Sequence, residues 1–205
     1  MQPFQRLEAR AASLQLANID TDQIIPARFL KTSRSVDHGQ FLFHDMRRST
    51  TGDLDDKFVL NQEDNSTVQI LVADTNFGCG SSRESAIYAL QDAGVKCVIA
   101  PSFGDIFYNN ALKNGLLPIS LDRSIVEIIW ETLESANSAQ IEIDLELQSV
   151  HLPDGKTFTF QIDLFRKQCL LEGMDDIDLT FKYIDTIETH EKFEEKEYPW
   201  TRLVS

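Results

Sequence analysis

The segment from residue 68 to residue 100 constrains the fold of this chain more than any other part. It begins with a nearly continuous apolar run at residues 68–73 (VQILVA) and ends with a second one at residues 95–100 (VKCVIA). Between these runs, residues 81–93 place alanine and leucine at the spacing of one helix face. Apolar runs of this length are typical of strands buried on both faces. The segment therefore predicts a βαβ unit in a parallel sheet, and with it an α/β fold.

The periodicity elsewhere predicts a mixed sheet around this unit. Residues 140–147 (QIEIDLEL) alternate with period two, so one face of that strand should be solvated. Residues 7–17 are mixed in character and could form an edge strand. We also expect a hairpin of strands at 150–152 and 157–162 around Pro-Asp-Gly at 153–155, a short strand at 116–121, and helices at 105–114, 122–135, 164–172 and 186–197.

Two stretches differ in composition from the rest of what we expect to be a single domain over residues 1–205. Residues 31–66 are rich in Ser, Thr, Asp, Gly and Asn and contain few aromatic residues. Such a segment buries too little surface to offset its ordering entropy, so we expect a mobile loop. In residues 172–205 acids outnumber bases ten to four, which predicts an acidic helical tail with solvated faces.

Net charge and cysteine spacing exclude several classes of function. The chain has 33 acidic and 19 basic residues, a net charge of −14, so a general basic surface for nucleic acid or for an anionic membrane is not expected. A local basic pocket could still hold an anionic small molecule. Cys79, Cys97 and Cys169 are too far apart in sequence for an iron–sulfur motif or a disulfide framework. We therefore expect reduced thiols, a cytoplasmic location and no metal bound by this chain.

The candidate site is the junction at residues 76–84 (NFGCGSSRE), which directly follows a predicted buried strand. Open α/β sheets bind ligands at the carboxyl ends of their strands. Gly78 and Gly80 allow positive φ and a close backbone approach, and the helix start offers unpaired N–H groups to an anion.

Polar side chains occupy the same turn. Ser81 and Ser82 supply hydroxyls, and Arg83 can hold a carboxylate through two parallel hydrogen bonds. These residues predict a pocket for a carboxylate or a phosphate. Ser81 and Glu84 also have the spacing of a capping box, so Ser81 could serve only as the helix N-cap.

This junction resembles the active-site signature of the mobile swivel domain of the aconitase family. Residues 18–26 (NIDTDQIIP) look like the family's N-terminal motif, and residues 114–118 (NGLLP), with Ser102, Phe103 and Asn110 before them, resemble the stretch after its second strand. The resemblance to the separate small subunits of bacterial 3-isopropylmalate dehydratases runs along nearly the whole chain. It includes residues 99–103 (IAPSF) and 163–166 (DLFR).

The resemblance implies the family's swivelling β/β/α fold and a hydro-lyase activity. The substrates would be 2-isopropylmalate and 3-isopropylmalate, interconverted by dehydration and rehydration in leucine biosynthesis. A separate large subunit would carry a [4Fe–4S] cluster, and this chain would be inactive alone. The motifs hold features shared by related diacids, so methylmalate, citraconate and homoaconitate remain alternative substrates. A module that binds a carboxylate without chemistry also remains possible.

The resemblance also assigns roles to residues of the two motifs. Ser81 would be the general base, and Ser82 and Arg83 would hold a substrate carboxylate. Asp22 would support active-site residues of the partner. Thr21, beside it, would contact substrate.

Specificity is expected in residues 27–35 (ARFLKTSRS). Arg34 is a candidate second clamp for carboxylate, and Arg28 is the alternative. Phe29 and Leu30 would contact the isopropyl group of the substrate or would only anchor the loop.

Overall fold

In this computed structural model, residues 1–62, 67–135, 139–198 and 200 are described. Seven strands form one mixed sheet in the order β4-β3-β2-β1-β5-β6-β7. The strands are β1 (Arg6–Leu14), β2 (Ile70–Ala73), β3 (Cys97–Ala100), β4 (Leu117–Ser120), β5 (Gln140–Asp144), β6 (Ser149–His151) and β7 (Thr157–Thr159). The helices are α1 (Thr21–Ile24), α2 (Glu84–Asp92), α3 (Asp105–Asn114), α4 (Arg123–Ser135), α5 (Leu164–Glu172), α6 (Asp176–Phe181) and α7 (Ile184–Glu197).

The predicted βαβ unit is confirmed as β2, α2 and β3. Strands β1 to β4 run parallel to one another, whereas the pairs β1 with β5, β5 with β6 and β6 with β7 are antiparallel. All four residues of β2 and all four of β3 are buried, as expected for strands covered on both faces. The parallel half of the sheet therefore directs the carboxyl ends of β1, β2 and β3 to one edge.

Strand β1 is not the edge strand that its mixed composition suggested. It lies in the centre of the sheet, parallel to β2 and antiparallel to β5. Its buried residues include Ala9, Ala11 and Ala12. Alanine gives a weak hydrophobic signal in the sequence, yet its small side chain allows close packing over a central strand.

Two apolar cores cover the two faces of the sheet. Alternate residues of β2 enter different cores, with Ile70 and Val72 on one face and Leu71 and Ala73 on the other. Helices α4 and α5 contribute to the first core and α2 to the second, whereas α3 contributes to both. The indole N–H of Trp130 on α4 donates to the carbonyl of Val72 at 3.0 Å, which ties this helix to the sheet.

The polar segment, residues 27–62, connects α1 towards β2 through short turns. It contains 3₁₀ turns at Ala27–Phe29, His38–Phe41 and Val59–Asn61. Leu42 and Phe43 within it are almost fully buried in the second core. The mobility expected for residues 31–66 stays a prediction, and its last four residues, 63–66, lie outside the described residues.

The chain divides into two compact units, Met1–Gly173 and Met174–Ser205. In the second unit, α7 begins two residues before the predicted helix and has no buried residue. Residues 199 and 201–205 of the predicted tail lie outside the described residues. The single-domain organisation expected for residues 1–205 stays a prediction. Within the described ranges, no helix combines the length and apolar character needed to cross a bilayer.

Candidate functional site

The site loop, residues 75–83, follows β2 and is held by the segment that follows β1. The amide of Gly78 donates to the carbonyl of Ile19 at 2.7 Å, and the amide of Thr21 donates to the carbonyl of Cys79 at 2.9 Å. These bonds extend the parallel pairing of β1 and β2 beyond the ends of both strands. The backbone of the loop is thereby fixed on one side.

The segment after β3 holds the other side of the site loop. The amide of Phe77 donates to the carbonyl of Ser102 at 3.0 Å, and the amide of Gly104 donates to the carbonyl of Phe77 at 2.9 Å. A Cβ at position 104 would lie 2.5 Å from the carbonyl oxygen of Gly78, so the two backbones are in direct contact. Three strand ends thus form one closely packed layer at the edge of the sheet where open α/β folds bind ligands.

Both glycines of the site loop have positive φ, +73° for Gly78 and +90° for Gly80. A Cβ at position 78 would lie 2.2 Å from Cγ of the Phe107 ring. At position 80 the nearest atom would be Asp20 Cβ at 3.5 Å, an ordinary contact. Gly78 is therefore required for both space and backbone conformation, and Gly80 for conformation only.

The predicted capping box of Ser81 and Glu84 is wrong. Helix α2 begins at Glu84, its N-cap is Arg83 in an extended conformation, and no side chain caps it. Pairing with the segment after β1 draws the chain away from helical geometry, and the carbonyl of Ser81 accepts a hydrogen bond from the hydroxyl of Thr21 at 2.9 Å. The hydroxyls of Ser81 and Ser82 are consequently exposed, and neither bonds to any residue in the described part of the chain.

Arg83 and Asp22 form a two-pronged ion pair across the site. Nη1 and Nη2 of Arg83 each donate to one carboxylate oxygen of Asp22, the second at 2.8 Å. The Arg83 side chain is 14% exposed and that of Asp22 is 54% exposed. Hydrogen bonding to Arg83 lowers the pKa of Asp22 from its usual value, against a smaller opposing effect of desolvation. Asp22 therefore stays ionised and fixes the plane of the guanidinium.

Comparison with known proteins decides the family. A model of the aconitase C-terminal domain matches residues 1–124, and a LeuD_N model matches residues 127–163. A 3-isopropylmalate dehydratase small subunit of Roseobacter denitrificans is 47% identical over 98% of this chain and 100% of its own length. One from Rhodospirillum centenum is 46% identical over 98% of each chain.

The chain belongs to the family of 3-isopropylmalate dehydratase small subunits.

A solved structure supports the fold of this family. The 3-isopropylmalate dehydratase of Methanocaldococcus jannaschii superimposes with a TM-score of 0.61 and 28% sequence identity, covering 91% of this chain and 99% of that one. The predicted fold class, an α/β swivel-type domain with a mixed sheet and a βαβ core, is confirmed.

Thr21 lies beneath the site loop rather than on its surface. The residue is 2% exposed, and its hydroxyl donates to the carbonyl of Ser81. In this chain Thr21 therefore supports the backbone of the site loop at Ser81. Contact between Thr21 and substrate stays a prediction.

The two candidate arginine clamps lie in the polar segment, each in an ion pair of its own. Nη1 and Nη2 of Arg34 bond to the carboxylate oxygens of Asp92 at 2.8 and 3.0 Å. Because Asp92 is the last residue of α2, this places Arg34 about 13 Å along the helix from the site loop. Arg28 pairs with Asp45 and contacts the ring of His44. The structure does not bring Arg34 to Ser81.

The two candidate apolar contacts differ in their surroundings. The ring of Phe29 stacks on Phe41, with ring centroids 4.3 Å apart and planes inclined by 15°. Leu30 is exposed at the end of the first 3₁₀ turn. Leu30 is thus available to a ligand, and Phe29 is already anchored on one face.

Sequence reasoning missed a polar cluster behind the site loop. The side-chain amide of Asn76 donates to Asn18 Oδ1 at 2.9 Å, and its backbone amide donates to the hydroxyl of Ser102 at 2.9 Å. Asn18 and Asn76 both have positive φ. The signal in the sequence was a polar residue just beyond each of three parallel strands. Two of these residues are Asn, which tolerates positive φ better than most residues.

The cysteines do not fit a [4Fe–4S] cluster. Cys97 is buried on β3 and Cys169 is buried on α5, whereas Cys79 is partly exposed in the site loop. Burial raises the pKa of the Cys97 thiol well above its usual value, which disfavours the thiolate that a cluster requires. Across the described ranges, His, Cys, Asp and Glu side chains nowhere converge in threes as metal ligands would.

Proposed function

We propose that this chain is the small subunit of an isopropylmalate isomerase, acting in the cytoplasm with an iron–sulfur large subunit. The complex would interconvert 2-isopropylmalate and 3-isopropylmalate by dehydration and rehydration in leucine biosynthesis. The observation that carries the proposal is the 47% identity, over nearly the full length of both chains, to a protein named 3-isopropylmalate dehydratase small subunit.

The site loop supplies groups suited to a carboxylate. Arg83 has five N–H donors and uses two of them on Asp22, which leaves three for a ligand. The backbone amides of Gly80, Ser81 and Ser82 donate to no other described residue and adjoin the positive end of α2. A substrate carboxylate at this position would complete the hydrogen bonding of both groups, with Ser82 as a further donor.

Ser81 is suited to receive the carbon-bound proton of the substrate. Its hydroxyl is exposed, so a substrate can reach it, and Thr21 and the backbone bonds around it fix its position. A free serine hydroxyl is a poor base at neutral pH. The helix N-terminus and the neighbouring Arg83 charge would favour its alkoxide.

The large subunit would promote the other half of the reaction, the departure of hydroxide from the substrate. A [4Fe–4S] cluster there would supply a Lewis acid for this step. This chain would contribute the base and the carboxylate-binding groups.

The test is an anaerobic assay of this chain with and without its large subunit, on isopropylmalate, citraconate and homoaconitate in parallel. We expect isomerisation of isopropylmalate by the complex only. Faster turnover of citraconate or homoaconitate would reassign the substrate. Isomerisation by the purified chain alone, or diacid binding without activity in the complex, would refute the proposal.

A further inference from the structure

Two arginine–carboxylate pairs of opposite polarity join the two ends of helix α2 to the chain between α1 and the polar segment, one pair through Asp22 of α1 and one through Arg34 of the polar segment. At the N-terminal end, Asp22 just before the segment pairs with Arg83 of the helix cap. At the C-terminal end, Arg34 of the segment pairs with Asp92 of the helix. Phe29 and Leu30, the residues expected to contact the alkyl group of the substrate, lie in sequence between Asp22 and Arg34.

The carboxylate of Asp92 accepts hydrogen bonds from a second residue besides Arg34. Its Oδ2 also accepts the backbone amide of His38 at 2.9 Å, so one carboxylate receives three hydrogen bonds from the polar segment. Burial alone would raise the pKa of Asp92, but the bonds from Arg34 and His38 outweigh it and the pKa is lowered. The side chain of Asp92 is 19% exposed and that of Arg34 is 52% exposed, so the carboxylate end of this pair is the part shielded from solvent.

The contact continues into the backbone and the aromatic rings. A Cβ at Gly39 would lie 2.6 Å from the amide nitrogen of Ala93, so the second 3₁₀ turn rests directly on the end of α2. The guanidinium of Arg34 lies 4.4 Å above the ring of Tyr88, which also faces His38 edge-on. These contacts leave the second 3₁₀ turn little freedom relative to the helix.

The same turn carries the ring on which Phe29 rests. Phe41 is its last residue and stacks on Phe29 at 4.3 Å. A continuous series of contacts therefore leads from Asp92 through the turn at His38–Phe41 to Phe29. Neither Arg34 nor Asp92 is near the exposed hydroxyl of Ser81, since they lie at the opposite end of α2.

We propose that Arg34 and Asp92 are a positioning pair that sets selectivity for the alkyl group of the substrate, acting through the Phe41–Phe29 stack without touching the substrate. The proposal rests on the proposed function. It assigns Arg34 a role different from that of a second carboxylate clamp. The selectivity for a branched over a small alkyl group should therefore depend on Asp92 as much as on Arg34.

The experiment compares kcat and KM of the reconstituted complex for 3-isopropylmalate and for methylmalate. The variants are Asp92→Asn, Arg34→Lys and the exchanged pair Arg34→Asp with Asp92→Arg. The matched control is Asp154→Asn, which breaks an ion pair with Lys156 on the distant hairpin. Thermal unfolding of each variant reports any general loss of structure.

We expect Asp92→Asn to raise KM for 3-isopropylmalate and lower its kcat/KM relative to methylmalate by roughly three- to tenfold, with kcat nearly unchanged. Arg34→Lys should shift the ratio in the same direction, because lysine cannot bridge both carboxylate oxygens. The exchanged pair should restore the ratio only in part, because arginine at position 92 cannot accept the amide of His38, and Asp154→Asn should not alter it.

Two results would overturn the inference. If Arg34→Lys lowers activity equally on both substrates while Asp92→Asn has no effect, Arg34 binds substrate directly. If all variants unfold at lower temperature with an unchanged selectivity ratio, the pair is only structural. An unmodified complex that is inactive on 3-isopropylmalate would instead contradict the proposed function.

Discussion

The site loop and the polar segment are both irregular, but they are held in different ways. Backbone hydrogen bonds to two neighbouring segments hold the site loop on both sides, and Gly78 has no room for a side chain. The polar segment is held mainly by side-chain pairs, such as Arg34 with Asp92, and by a few buried anchors, such as Phe43. Backbone packing fixes the groups that we propose act on the substrate, whereas side-chain contacts leave the region proposed to set selectivity adjustable by sequence change.

The largest expected effect separates chemistry from structure within the site loop. Ser81→Ala should lower kcat of the complex by about 10²–10⁴, the usual contribution of a general base. Its unfolding temperature should stay unchanged, since this hydroxyl bonds to no described residue. Ser33→Ala, which removes a hydroxyl of the polar segment bonded to Ser35, is the control and should keep full activity. A loss of less than threefold in Ser81→Ala would leave this serine without a catalytic role.

The next effect compares two glycines that both have positive φ. Gly78→Ala should destabilise the fold by about 2–5 kcal/mol, from positive φ and from overlap with Phe107. Gly52 in the polar segment has φ +92° and no atom within 4 Å of the added Cβ, so Gly52→Ala should cost only about 1–2 kcal/mol. Denaturant unfolding of both variants measures the difference. Equal losses of unfolding free energy would show that the site loop and the polar segment tolerate an added side chain equally well.

A smaller effect is expected from changing the donor geometry at the site. Arg83→Lys keeps the charge but cannot form the planar two-pronged pair with Asp22 and still offer parallel donors to a substrate carboxylate, so kcat/KM should fall roughly tenfold to a hundredfold. Steady-state kinetics of the complex measure this. Arg6→Lys, at the ion pair with Glu142 on the sheet, serves as the control. Full activity of Arg83→Lys would remove Arg83 from carboxylate binding.

The smallest effect concerns the amides of the polar segment. Phe43 N, which bonds to the carbonyl of Ile24 at 2.8 Å beside a buried ring, should exchange slowly even in the free chain. The exposed amides of Thr50 and Thr51, which bond to no described residue, should exchange quickly and become protected, roughly tenfold or more, when the large subunit binds. Hydrogen exchange on the free chain and on the complex measures both. Strong and equal protection of the turn amides in the free chain and in the complex would contradict the expected mobility.

Much of the fold was predictable where a local pattern decides it. The helix over residues 105–114 ends at Gly115 and the helix over residues 164–172 ends at Gly173, as expected, because both glycines adopt the left-handed conformation that stops a helix. The hairpin turn before Gly155 was also predicted correctly. In each of these elements the deciding interaction joins residues close together in sequence.

The sequence by itself determined the parallel unit, the candidate site at the carboxyl ends of its strands, and the residue types gathered there. Tertiary structure decided three further features: the central position of β1, the release of Ser81 from helix capping, and the pairing of Arg34 with Asp92. Each depends on contacts between segments tens of residues apart, such as Thr21 with Ser81. Local propensity favoured a capped helix at Ser81. The backbone bonds of the site loop to its two neighbours, formed only in the folded chain, outweighed it.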